Sequence, residues 1–75
     1  MKVLLTGATG FIGRHVYEVL RDQGVAVRCG SRSPAKAARR FPDREWVRLD
    51  VADEASLPPA LEGVDAALFL VHAMA

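Results

Sequence analysis

Val3-Leu4-Leu5-Thr6-Gly7-Ala8-Thr9-Gly10-Phe11-Ile12-Gly13 is the stretch that decides the fold. An apolar run suited to a strand leads into a turn with glycines at 7, 10 and 13, and apolar residues at helical spacing follow it. Each glycine answers a separate physical demand. Gly7 lets the chain turn sharply off the strand, Gly10 lets backbone approach a pyrophosphate, and Gly13 lets the helix pack closely on the strand. The helix opening there directs its unsatisfied N–H groups and positive end toward the anion. The candidate ligand contacts in the turn are Gly7, Thr9, Gly10, Phe11, Ile12 and Gly13. The competing reading is a glycine-rich turn with no ligand, which the strand before and the helix after disfavour. A phosphate loop of the NTPase kind is also disfavoured, because no Gly-Lys-Ser or Gly-Lys-Thr follows.

Working outward, Ile12, Val16, Val19 and Leu20 predict the buried face of a helix, with Arg14, Glu18 and Arg21 between them and Gly24 as its stop. Val25, Val27 and Cys29 alternate as a second strand. Ser33-Pro34 is a helix start, with Ser33 as N-cap, and that helix runs from Pro34 to about Arg40. Arg44 to Leu49 alternates as an exposed edge strand. Asp53 or Ser56 caps a further helix covering part of Glu54 to Glu62, curtailed by Pro58-Pro59 and ended by Gly63. Asp65 to Val71 is a fourth, apolar strand. The alternation implies an α/β doubly wound parallel sheet, a partial Rossmann fold with strand order 3-2-1-4. Its ligand crevice lies beyond the carboxyl ends of strands 1 and 4, where the loops at Gly7 to Gly13, Ser31 to Lys36, Asp50 to Val51 and Val71 to Ala73 converge.

Seventy-five residues make one small domain at most. The apolar content of 51% and charged content of 25% are those of an ordinary globular protein. A net charge of +1 argues against nucleic-acid and membrane partners. The single cysteine, Cys29, excludes an internal disulfide, offers no metal-ligand spacing and suits a buried strand position in a reducing cytoplasm. The first strand begins at Lys2, which leaves no room for a signal peptide, and Ala66 to Val71 is too short to span a bilayer.

Three-residue steps between all the glycines resemble the short-chain dehydrogenase/reductase superfamily, and Thr6-Gly7-Ala8-Thr9-Gly10-Phe11-Ile12-Gly13 is similar to its extended and atypical branches. The ending Leu70-Val71-His72-Ala73-Met74 is likewise similar to atypical members described as NAD(P)-binding. The resemblance covers essentially the whole chain but only the first half of the family's nucleotide-binding domain. It therefore implies that residues 1–75 are the N-terminal part of a longer protein. In such proteins the acidic residue after the third strand and its neighbour contact adenine, which matches Asp50 and Val51, although Asp50 alone reads as a turn residue. The end of the fourth strand approaches the nicotinamide ribose, which matches Val71, His72 and Ala73.

An NAD site usually carries an acid at the end of the second strand, and no Asp or Glu occurs from Gln23 to Pro42. Ser31, Arg32 and Lys36 would instead bind a 2′-phosphate by charge-assisted hydrogen bonds. NADP(H) is the preferred cofactor and NAD(H) remains possible. Arg39 and Arg40 read as a solvated helix face.

Catalytic members of the superfamily use a Tyr-x-x-x-Lys pair in which lysine lowers the tyrosine pKa. No such pair is present: Tyr17 has Arg21 four residues on, and neither lysine follows a tyrosine at that spacing. No catalytic residue and no metal site is assigned. Two function classes stay open, an NADP-dependent reductase or epimerase-like enzyme whose small-molecule substrate is bound by a C-terminal part, and a non-catalytic NADP-binding or redox-sensing module. A structural or dimerising unit is a third. Ala66 to Val71 would be an apolar edge, so the isolated chain is expected to self-associate or fold poorly.

Overall fold

Strand and helix alternate as the pattern predicts. The computed structural model describes residues 1–70. In order come β1 (Lys2–Thr6), α1 (Phe11–Asp22), β2 (Ala26–Ser31), α2 (Pro34–Arg40), β3 (Glu45–Arg48), a 3-10 turn (Glu54–Ser56), α3 (Leu57–Leu61) and β4 (Ala66–Phe69). All strand pairs are parallel and the sheet order is β3-β2-β1-β4. Among the described residues no helix is long and apolar enough to cross a membrane.

β1 is central and is covered on both faces, which is why Val3-Leu4-Leu5 is continuously apolar instead of alternating. Leu4 and Leu5 point to opposite faces and both are fully buried. Leu5 packs with Ala8, Tyr17 and Cys29 under α1, while Leu4 packs with Leu49 and Ala60 under α3. Burial of each leucine contributes about 1.5–3 kcal/mol. The register aligns Leu5 with Cys29 and Cys29 with Trp46, so one row of side chains floors the α1 side. Burial raises the Cys29 thiol pKa to about 11, which leaves it a protonated core residue.

The buried face of α1 differs from the expected one. Gly13 and Tyr17 are buried, Val16 and Leu20 are half-buried, and Ile12 and Val19 are exposed. Gly13 rests against the preceding turn, and this contact chooses the inward face; Tyr17, four residues on, shares that face. Hydrophobicity at helical spacing marks a stripe but not which edge of it meets the sheet.

Helix ends follow the punctuation more closely. Gly24 and Gly63 both have positive φ, at 80° and 75°, where the chain leaves α1 and α3. Ser33 stands at the N-cap of α2 with Pro34 as the first helical residue, but its side chain makes no capping bond; the Ser31 hydroxyl accepts from the Ser33 N–H at 3.0 Å instead. Of the two candidate caps further on, the Asp53 carboxylate accepts from the Ala55 N–H at 3.2 Å and opens the 3-10 turn. Pro58 and Pro59 fall in the first turn of α3, where their missing N–H groups cost nothing.

At the amino ends of the strands, Glu45 accepts from Lys2 Nζ at 2.8 Å and from Arg28 Nε at 2.7 Å. These two bonds hold the Glu45 carboxyl below its ordinary pKa. Arg28 also donates to the carbonyls of Ala60 and Glu62, satisfying groups left open where α3 ends. The β2 cation thus ties α3 to the sheet, a role its sequence context does not announce.

Candidate dinucleotide-binding site

β1 ends at Thr6, and Gly7 (φ 74°) swings the chain away from the sheet. A Cβ at Gly7 would sit 2.5 Å from the Leu70 carbonyl oxygen, so the residue is needed both for its conformation and for the approach of β4's end. The Gly10 N–H donates to the Gly7 carbonyl at 3.1 Å and closes the turn, and Gly10 is the N-cap of α1. Its φ of −78° and ψ of 171° are open to any residue. Gly13 is constrained differently from the expectation: a Cβ there would overlap the Gly7 carbonyl oxygen and lie 2.8 Å from Ala8 Cα. The helix therefore packs on the turn itself; of the turn residues only Gly7 and Thr9 line the adjacent cleft, and Gly10 does not.

That cleft, about 530 Å³, opens at the carboxyl ends of β1, β2 and β3; the sequence placed the crevice beyond strands 1 and 4, but among the described residues none of the lining belongs to β4. Six of the expected residues line it: Gly7, Thr9, Ser31, Arg32, Asp50 and Val51. Ser33, within the expected Ser31 to Lys36 loop, also lines it, and Thr6, Gly30, Leu49 and Ala52, which were not anticipated, complete the wall. Gly30 carried a readable signal, a glycine inside a strand; a Cβ there would meet the Leu49 side chain at 2.9 Å. Lys36 lies in a smaller annexe of about 150 Å³ that shares Thr9, Ser31 and Ser33 with the main cleft. Arg40, read from sequence as a solvated residue, lines the same annexe. Phe11 and Ile12 are exposed at the start of α1, and Gly13 is buried. Val71, His72 and Ala73 lie outside the described residues.

The walls are held in place by hydrogen bonds. Asp50 Oδ1 accepts from the Ala52 N–H at 3.0 Å, the local turn that its sequence context suggests. The buried Ser56 hydroxyl accepts from the Asp50 N–H and contacts the carbonyls of Asp50 and Asp53 at 3.0 and 2.8 Å. Arg32 is exposed and, among the described residues, has neither a hydrogen bond nor an ion pair. The arrangement offers a glycine floor at Gly7 and Gly30 and uncommitted cations on the β2 side. Its volume is in the range of cofactor sites. These features fit a nucleotide carrying phosphates.

Residues 7–74 match the NAD(P)H-binding family. The chain belongs to that family. Its relatives place it in the atypical part of the short-chain dehydrogenase/reductase superfamily. A chloroplastic epimerase-family protein of Arabidopsis thaliana is 37% identical over 93% of this chain and 20% of its own length. The (4-alkanoyl-5-oxo-2,5-dihydrofuran-3-yl)methyl phosphate reductase of Streptomyces griseus is 45% identical over 92% of this chain and 24% of its own. Among solved structures, a superfamily member from Agrobacterium tumefaciens with bound NAD superposes with a TM-score of 0.77 at 33% identity, covering 100% of this chain and 21% of that one. The chain thus spans about a fifth to a quarter of the length of the relatives it matches.

Proposed function

We propose that this NAD(P)H-binding chain is the NADP(H)-binding segment of a reductase or epimerase-like enzyme. The glycine turn would hold the pyrophosphate, Asp50 and Val51 the adenine, and Ser31, Arg32 and Lys36 a 2′-phosphate. The observation that carries the cofactor preference is Arg32, uncommitted in the cleft wall at the end of β2, with no carboxylate from Gln23 to Pro42. Arg40 adds a further cation in the annexe beside Lys36. The hydride chemistry is the cofactor's; this segment binds and orients it. Tyr17 takes no part, being buried in the core with its pKa raised by desolvation. Substrate contacts and reacting groups are assigned to the portion of the relatives that this chain does not span. A cytoplasmic location is part of this proposal.

One guanidinium–phosphate bond contributes about 1.5–3 kcal/mol. Arg32→Ala is therefore expected to weaken NADPH binding roughly ten- to a hundredfold and to leave NADH nearly unchanged. Titration calorimetry with both cofactors checks this, and equal losses would remove the 2′-phosphate assignment.

We also propose that the isolated segment self-associates through β4. Among the described residues that strand pairs with β1 alone, and Leu68 and Phe69 are exposed on it. Sedimentation velocity over a concentration series is expected to show reversible association, weakened by Leu68→Lys, because a charge on an edge strand opposes pairing. A monomer at every concentration would refute the assignment.

A further inference from the structure

A second cleft, about 280 Å³, lies between α1 and the connection from α2 to β3, lined by Phe11, Arg14, His15, Glu18, Phe41 and Arg44. It shares no lining residue with the dinucleotide cleft or its annexe. We propose that it binds an oxyanion, a phosphate or a carboxylate, on the Arg44 guanidinium. The Arg44 side chain is 6% exposed, yet its Nε and Nη1 have no hydrogen-bond partner among the described residues. The guanidinium carbon stands 3.9 Å from the Tyr17 ring centroid and 4.4 Å from that of Phe41. Aromatic faces balance part of the charge but accept none of the N–H groups, which project in the guanidinium plane. Arginine cannot shed its proton to escape the mismatch. The Asp43 carboxylate is 62% exposed and its oxygen is 3.8 Å from Nε, beyond hydrogen-bond reach. A planar fork stacked close to two rings, with its Nε and Nη1 donors unpartnered, suits an oxyanion arriving from the cleft. Arg14 offsets Glu18, the one acidic residue in the lining, so the Arg44 charge is left over. The cleft has room for a phosphate group or a short carboxylic acid.

The test uses the 75-residue chain with inorganic phosphate and acetate as separate probes. Binding is read from the Arg44 Nε–H signal by NMR and from the fluorescence of Trp46, the single tryptophan, whose ring lies 6.3 Å from that of Phe41. A saturable change with at least one anion is expected, and the tighter of the two identifies the ligand class. It should persist under saturating NADPH, and Arg44→Lys, which keeps the charge but loses the fork, should weaken it roughly tenfold. Arg14→Gln, at an exposed position on α1, should also weaken it and decides the matter if the Arg44 variant fails to fold. No saturable change with either anion, loss of the change when NADPH is bound, or unaltered affinity in the folded variants would overturn the proposal.

Discussion

Gly10→Val is expected to lower dinucleotide affinity by more than about a hundredfold while leaving the circular dichroism spectrum unchanged. The backbone at Gly10 has an ordinary extended conformation, so valine brings no strain of its own. The bond from its N–H to the Gly7 carbonyl is a main-chain contact that valine preserves. The new side chain would instead stand where a pyrophosphate must approach the N–H groups opening α1. Losing two hydrogen bonds to a charged group costs about 3–6 kcal/mol, which exceeds a hundredfold in affinity. Calorimetry with NADPH beside circular dichroism separates the two effects, and retained binding in a folded variant would remove the glycine turn from the site.

Gly13→Ala should do the opposite and damage the fold first. Its Cβ would overlap the Gly7 carbonyl and crowd Ala8, and both obstacles are backbone in a closed turn, with no flexible side chain to move aside. Overpacking of this kind costs about 1–3 kcal/mol and sometimes more. Here the upper end applies, because relief requires shifting α1 away from β1 and opening the contacts of Tyr17 with Leu5 and Cys29. That is a large share of the stability of so short a chain. Urea unfolding followed by Trp46 fluorescence should show a clearly lower midpoint than the parent. An unchanged midpoint would mean that the helix tolerates a wider spacing from the turn. Of these two glycines three residues apart, Gly13 faces backbone, and Gly10 is the one proposed to face ligand.

Much of the molecule was legible because its signals are local. Strand and helix boundaries, the positive-φ glycines at 24 and 63, and the confinement of Pro58-Pro59 to a first turn follow from backbone sterics that each residue carries with it. The parallel order 3-2-1-4 follows from alternation together with the handedness of crossovers. The glycine spacing and the apolar β1 therefore marked one wall of the cleft, and the absence of an acid from Gln23 to Pro42 left Arg32 as the charge on its β2 wall. Long-range contact decided the rest. Which face of α1 turns inward depended on Gly13 meeting a carbonyl six residues earlier, and hydrophobic spacing could not register that contact. Gly30 and Leu49 meet across neighbouring segments, Arg28 reaches α3, and Arg40 turns toward the annexe. The unpartnered Nε and Nη1 of Arg44 arise because packing sets its guanidinium against the rings of Tyr17 and Phe41. Sequence determines what each residue prefers, whereas the partners those preferences meet are set by how the helices and turns seat on the sheet.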